Sequence, residues 1–254
     1  MQYTEFLHNV TTLPQNSKFA ASDMLDNQLA EANGLKTWSG VSTYKEALNL
    51  CENGDPAKIK ELKTEIANSQ EEIKKAVESS IFGTRLDFDK YLQGNPECLK
   101  RTVRKRPEPR KIWLNVDFQM SYKVDGDTIK AYAARLINVI NHLTAQGNIV
   151  KLTASWRNRY SKTGHIDKGH FIIKDYDDAL IINDVNAIFQ PYFLRRIMFK
   201  HWEQYSNLAT TYGTIKESSV KGAINLPRFE KYLGKVKRES WTRTILARIN
   251  KELS

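Results

Sequence analysis

Residues 112–118, IWLNVDF, and residues 149–154, IVKLTA, decide the fold, because each predicts a buried strand and the sequence between them predicts a helix. Asp127 is placed to cap that helix, whose apolar residues recur at helical spacing as far as Leu143 before Gln146-Gly147-Asn148 ends it. A strand, a helix and a strand in direct succession form a β-α-β unit with parallel strands. We therefore expect the two strands to be neighbours in one sheet, with the helix packed across them.

The sequence on the C-terminal side of this unit predicts how the sheet is extended. Residues 170–174 and 214–215 predict two further strands, and residues 176–206 are mainly helical, with a break or a new start at Pro191. The predicted fold class is α/β, with a mostly parallel central sheet flanked by helices on both sides.

The sequence on the N-terminal side predicts helices and a basic connector. Residues 1–37 are polar with weak periodicity, whereas residues 57–79 predict a long charged helix with one apolar stripe. Two prolines, Pro107 and Pro109, prevent a helix in the basic run that precedes the first strand. We expect four segments, namely a helical N-terminal region at 1–90, a basic connector at 91–111, the α/β core at 112–227 and a basic helical tail at 228–254.

The charge of the chain is uneven. The formal net charge of the 254 residues is +10, but residues 1–90 carry −4 and residues 91–254 carry +14. Such a positive field favours polyanions, and nucleic acid first. No apolar run approaches the roughly 18 residues of a membrane helix, and the N-terminus lacks the features of a signal peptide. The two cysteines cannot form a disulfide framework. We expect an intracellular protein with no membrane partner.

No established catalytic motif appears in the sequence. There is no GxxxxGK[ST] phosphate loop, no dinucleotide-type glycine cluster and no HExxH pair. We therefore predict that the protein is not an enzyme and needs no cofactor. His165 and His170 could hold a metal ion together with Asp167, but a polar loop followed by a strand histidine is the simpler interpretation.

The segment after the first strand, Asp117-Phe118-Gln119-Met120-Ser121, resembles the DxSxS metal-binding motif of von Willebrand factor A domains. The resemblance implies an A-domain-like core with a divalent cation held at the positions of Asp117 and Ser121. Gln119 replaces the central serine of the motif, and later Thr and Asp ligands are not evident. We therefore predict no tightly held divalent ion at this segment.

Two further strings, WSGVSTYKEA at residues 38–47 and GNPEC at residues 94–98, resemble a family of uncharacterised tailed-phage proteins. The resemblance, together with the β-α-β unit, implies an early protein of podophages that binds single-stranded DNA and recruits a phage RNA polymerase to promoter DNA. It also implies the cytoplasm of an infected bacterial host. The alternative function, which follows from the A-domain resemblance, is an adaptor that works with a MoxR-type ATPase.

Basic residues interleaved with aromatic residues indicate where a single strand binds, because cations meet phosphates and rings stack on bases. One such cluster surrounds Trp156, and others lie in the connector and the tail. The predicted nucleic-acid-binding residues are Arg104, Lys105, Arg106, Arg110, Trp156, Arg157, Arg159, Tyr160, Lys162, Lys235, Lys237 and Arg238. For Trp156, Tyr232 and Trp241, taken one ring at a time, a place in the core is the more frequent role.

Overall fold

The computed structural model describes residues 1–12, 39–81, 85–86, 99–100, 109–119, 124, 126–160, 164–203, 214–228 and 235–253. The helices are α1 (Tyr3–Thr11), α2 (Tyr44–Asn53), α3 (Pro56–Ile81), α4 (Gly126–Ala145), α5 (Ile182–Phe189), a π-helix (Phe193–Met198), α6 (Phe199–Glu203) and α7 (Lys235–Leu253). The strands are β1 (Arg85–Leu86), β2 (Leu99–Lys100), β3 (Lys111–Asp117), β4 (Ile149–Arg159), β5 (Ile166–Lys174), β6 (Thr214–Ile215) and β7 (Ile224–Asn225).

The central sheet has the strand order β5-β4-β3-β7, and β6 pairs with the C-terminal end of β4. Strand β3 runs parallel to both β4 and β7, whereas β5 and β6 run antiparallel to β4. The prediction that residues 112–118 and 149–154 form parallel neighbouring strands is confirmed, with Leu114 opposite Leu152. The fold is therefore mixed α/β with a sheet in which β3, β4 and β7 run parallel, and strands β1 and β2 form a separate antiparallel pair.

Among the described residues, helices pack against one face of the sheet. The strand residues of the hydrophobic core, such as Leu114, Ala154 and Phe171, alternate along the chain so that all of them lie on the same face. Helix α1 and the π-helix contact this face through Phe6 and Phe193, and the other described helices pack on it directly or through another helix. Helices on both faces, as expected from the sequence, are therefore not what the described residues show.

The opposite face is polar because the alternate residues of the same strands are polar. Strand β4 places Lys151, Thr153, Ser155, Arg157 and Arg159 there. A sheet with one apolar and one polar side needs helices on its apolar side alone. We call this surface the polar face.

Helix α1 lies in a stretch whose sequence shows only weak periodicity. Its Tyr3, Phe6, Leu7 and Val10 are buried, and the Phe6 ring stacks on Phe171 with 5.0 Å between ring centroids. The stretch that follows, residues 13–38, lies outside the described residues. The division of the chain into four segments stays a prediction.

The buried carboxylate of Asp167 fixes the core at the C-terminal end of β4. Its Oδ2 accepts hydrogen bonds from the indole Nε1 of Trp156 at 2.8 Å and of Trp202 at 2.9 Å, and His201 Nε2 lies 3.4 Å away. Burial alone raises the pKa of Asp167, but His201 and the two indole N–H groups outweigh burial and hold the pKa below its usual value. The ionised carboxylate therefore ties β5 to β4 and to α6.

Replacement of Asp167 with Ala is expected to lower the free energy of unfolding by about 2–5 kcal/mol, because two buried indole N–H groups lose their acceptor. Urea denaturation measures this loss. The matched control is Asp177→Ala, which removes an exposed carboxylate and is expected to change stability by no more than about 0.5 kcal/mol. Equal losses in the two variants would show that Asp167 does not hold the core together.

Candidate nucleic-acid interface

A cluster of exposed cations lies on the polar face at the C-terminal end of β4 and the facing part of β5. Arg157 on β4 is directly opposite Lys168 on β5, so the two side chains share one face. Lys216 follows β6 directly and, by the register of β6 with β4, lies opposite Arg157. Its backbone N–H donates to the Arg157 carbonyl at 2.9 Å. Lys168, Arg157 and Lys216 thus form a row across three strands, and Arg159 lies two residues further along β4.

These four side chains are exposed, and among the described residues none of them has an ion-pair partner. We call Arg157, Arg159, Lys168 and Lys216 the cation row. Neighbouring strands lie about 4.8 Å apart, so like charges are held close together on this surface. An anion that contacts several of them would relieve their mutual repulsion, so the chemistry of the cation row suits anionic groups such as phosphate.

Aromatic side chains lie on the same polar face near the start of β3 and β4. Trp113 on β3 is half-buried, and its indole Nε1 donates to Thr153 Oγ1 on β4 at 3.1 Å. The Lys151 ammonium lies 5.6 Å from the Trp113 ring and 5.6 Å from the Tyr176 ring, and it also pairs with Asp175 at 3.1 Å. These two rings and Lys151 lie toward the start of β4, and Lys151 is six residues before Arg157 on that strand.

Residues 216–223, which we call the strap, cross the polar face over β3 between β6 and β7. The Ser218 N–H donates to Asp117 Oδ2 at 2.9 Å, and Gly222 lies against the six-membered ring of Trp113. Asn225 holds the far end, since its Oδ1 accepts from the Val220 N–H at 2.8 Å and from Asn115 Nδ2 at 2.9 Å. The strap therefore covers the centre of the polar face and leaves the β4–β5 side open.

The carboxylate of Asp117 lies under the strap and is almost fully buried. Besides Ser218, it accepts a hydrogen bond from the Gln119 N–H at 3.1 Å, and Arg228 Nε lies 3.5 Å from its Oδ2. Burial raises the pKa of Asp117 to about 6, although Arg228 and the two backbone N–H groups act to lower it. Arg228 also donates to the Gln119 carbonyl at 2.6 Å.

These contacts do not fit the cation site that the A-domain resemblance implies. The Asp117 carboxylate faces backbone donors and the Arg228 guanidinium rather than a second anionic ligand, and the described residues contain no group of three or more His, Cys, Asp and Glu side chains that could hold a metal ion. Ser121 lies outside the described residues. That no divalent ion is tightly held at this segment stays a prediction.

The metal ligands considered on β5 also do not converge. His170 is exposed on the polar face, whereas Asp167 belongs to the opposite, buried face. His165 precedes the strand, and its ring lies against Tyr160 with a centroid distance of 5.8 Å. The simpler interpretation, a polar loop and a strand histidine, agrees with these positions.

The prediction that Trp156 and Tyr160 belong to the binding surface is wrong, because both side chains are buried. Trp156 is 4% exposed and Tyr160 is 1% exposed, since both point to the core face of β4. A base cannot stack on rings that neighbouring side chains already cover. The core interpretation also applies to Trp241, which is 2% exposed and packs edge-on against Tyr132 with 5.0 Å between ring centroids.

The other predicted binding residues divide into three groups. Arg157 and Arg159 belong to the cation row, and Arg110 is exposed immediately before β3. Helix α7 begins at Lys235 and therefore includes the basic residues of the tail, whose side chains are outside the described set; they are Lys235, Lys237 and Arg238. Four residues lie outside the described residues altogether, namely Arg104, Lys105, Arg106 and Lys162.

Sequence reasoning missed Lys168, Lys216 and Trp113 as members of the surface. The alternation of apolar and polar residues along residues 150–159 indicates a strand with one exposed face, but Lys168, Lys216 and Trp113 all lie outside this stretch. Trp113 lies in a run that predicts a buried strand. Its position became evident only from the register that sets it beside β4.

The model of one family, a domain of unknown function (DUF7192), matches residues 2–252. No curated protein and no solved structure matches the chain. Within the part of the chain that the structure describes, no helix combines the length and the apolar character needed to cross a membrane.

Replacement of Asp117 with Asn is expected to change the pH dependence of stability. The folded-state pKa of Asp117 is raised to about 6, whereas the carboxyl in the unfolded chain titrates near pH 4. Between these two pH values the folded state holds a proton that the unfolded state has lost, so the stability of wild type falls as the pH rises from 4 to 6. The Asn variant lacks this titration. Relative to wild type, its free energy of unfolding should therefore rise by roughly 2–3 kcal/mol from pH 4 to pH 7, as measured by urea denaturation. A difference that stays constant with pH would contradict the buried, desolvated carboxylate.

Proposed function

The chain belongs to the DUF7192 family, whose function is unknown, and we propose that it binds single-stranded DNA on the polar face of its sheet without catalysing a reaction. The observation that carries the proposal is the cation row, four exposed cations that share one side of the sheet and have no ion-pair partner among the described residues. The described helices leave this side of the sheet uncovered.

The chemistry of the surface suits the phosphates of a nucleic acid. Arg157 and Arg159 offer guanidinium groups that can hold a phosphate with two hydrogen bonds, whereas Lys168 and Lys216 act as point charges. Counterions condensed on the nucleic acid are released when these cations replace them, so the affinity depends strongly on salt. This part of the interaction is independent of base sequence.

The rings beside the cation row favour a single strand over a duplex. In a duplex the bases are paired and stacked on one another, whereas a single strand can lay its bases on protein side chains. His170 is exposed two residues from Lys168 on the same face of β5, and its ring lies 6.4 Å from that of the half-buried Trp113, so one strand could meet both cations and rings.

The most specific form of the proposal is a phage protein that recruits a phage RNA polymerase to promoter DNA. It rests on the resemblance of residues 38–47 and 94–98 to tailed-phage proteins. The alternative, an adaptor that works with a MoxR-type ATPase, would use a metal ion beside Asp117. Arg228 takes the cation position there, so the contacts in this structure give more support to DNA binding.

The double variant Arg157→Ala/Arg159→Ala tests the proposal, with binding to a single-stranded oligonucleotide measured by fluorescence anisotropy at several salt concentrations. If each arginine contacts one phosphate, affinity should fall for every base sequence, and the slope of log affinity against log salt should become shallower by about 1.4.

The matched control is Lys60→Ala/Lys63→Ala, which removes two exposed cations from α3. The control has the same change in net charge, so it reports the effect of the general field alone. Equal affinity and slope in the two double variants would remove the polar face from the binding site. A wild-type protein that binds duplex as tightly as single strand would contradict the preference for single strands.

A further inference from the structure

The Trp113 side chain lies across the polar face rather than beside its own strand. Strand β4 separates β3 from β5, and two strand spacings amount to roughly 9.6 Å. The centroid of the Trp113 ring is nevertheless 6.4 Å from that of His170 on β5, and its Nε1 bonds to Thr153 on β4. The indole therefore extends from β3 over β4 toward β5.

Small polar side chains of β4 lie beside the indole on the polar face. Thr153 is fully buried, and Ser155, the next residue on the same side of β4, is 1% exposed. Their short side chains allow a large ring to lie close to the sheet, and the Nε1 hydrogen bond to Thr153 holds the ring in place. The ring itself is only half-buried, so part of its surface is open.

The surroundings of the open indole surface are cationic and aromatic. The Lys151 ammonium lies 5.6 Å from the ring centroid, and His170 is exposed at the other side. The strap approaches through Gly222, where a methyl group in place of the glycine hydrogen would lie 3.7 Å from the six-membered ring, in ordinary van der Waals contact. His170 and Lys168 are on the same face of β5, which joins the ring to the cation row.

We propose that Trp113 is a stacking platform for one nucleobase of a single strand whose phosphates lie on the cation row. This inference rests on the proposed function, since it names the base-binding part of the same surface. Every base has a π-face, so a platform of this kind accepts different bases and contributes affinity without reading sequence. His170, at the edge of the ring, is placed to contact the same base.

The experiment compares two probes, a thymidine oligonucleotide and an abasic oligonucleotide of the same length, on full-length wild type, Trp113→Leu and Trp113→Phe. Wild type should prefer the thymidine probe. In Trp113→Leu that preference should shrink by about 5- to 150-fold, the contribution of one stacked base, while affinity for the abasic probe stays unchanged. Trp113→Phe keeps a ring and should keep most of the preference, although it loses the hydrogen bond to Thr153.

A Trp113→Leu protein that keeps the full preference would overturn the platform while the proposed function stands, provided that Arg157→Ala/Arg159→Ala still weakens binding of both probes. Failure of wild type to bind either probe would overturn both. If Trp113→Leu does not fold, tryptophan fluorescence of wild type and Trp113→Phe decides. Both proteins then also carry Trp38→Phe, because Trp38 lies outside the described residues. Trp156, Trp202 and Trp241 are buried, so quenching by the thymidine probe should be largely lost when Trp113→Phe is added, and unchanged quenching would overturn the platform.

Discussion

The alternation of apolar and polar residues along β4 is the constraint on which the rest of the structure depends. Its apolar residues face the helices, and its polar residues face away from them. Because successive strand residues point to opposite faces, a single register places Trp156 inside and Arg157 outside. The same register aligns Arg157 with Lys168 and brings Thr153 within hydrogen-bond distance of the Trp113 indole Nε1. The core and the arginines of the cation row thus lie on the two sides of one strand.

Two buried carboxylates stabilise the two sides of this sheet. On the core face, Asp167 accepts hydrogen bonds from the indole N–H groups of Trp156 and Trp202. These bonds hold Trp156 of β4 in the core. Asp117 receives the Ser218 N–H and faces Arg228 on the polar face, which fixes the strap and with it the position of Lys216. Neither carboxylate needs a bound ion for this role, because protein donors meet it.

The β-α-β unit could be predicted from sequence because its signals are local. The capped helix between residues 112–118 and 149–154 implies parallel strands, and the structure has them. The polar face could not be predicted in the same way, because a doubly wound sheet was expected and Trp113 sits in an otherwise apolar run. Trp156 stands beside basic residues in sequence, yet the acceptor that buries it, Asp167, belongs to another strand. Pairs of residues on different strands, such as Trp156 and Asp167, become evident only from the register of the strands. The contact between Lys216 and Arg157 spans an even longer stretch of sequence.

Lysine footprinting tests the central claim, single-strand binding on the polar face, most directly. The protein is acetylated with and without a saturating single-stranded oligonucleotide, and modification of each lysine is read by mass spectrometry. The account predicts that the oligonucleotide protects Lys168 and Lys216 and leaves the exposed Lys60 and Lys63 of α3 as reactive as before. Protection confined to α3, or equal modification of all four lysines with and without the oligonucleotide, would contradict it.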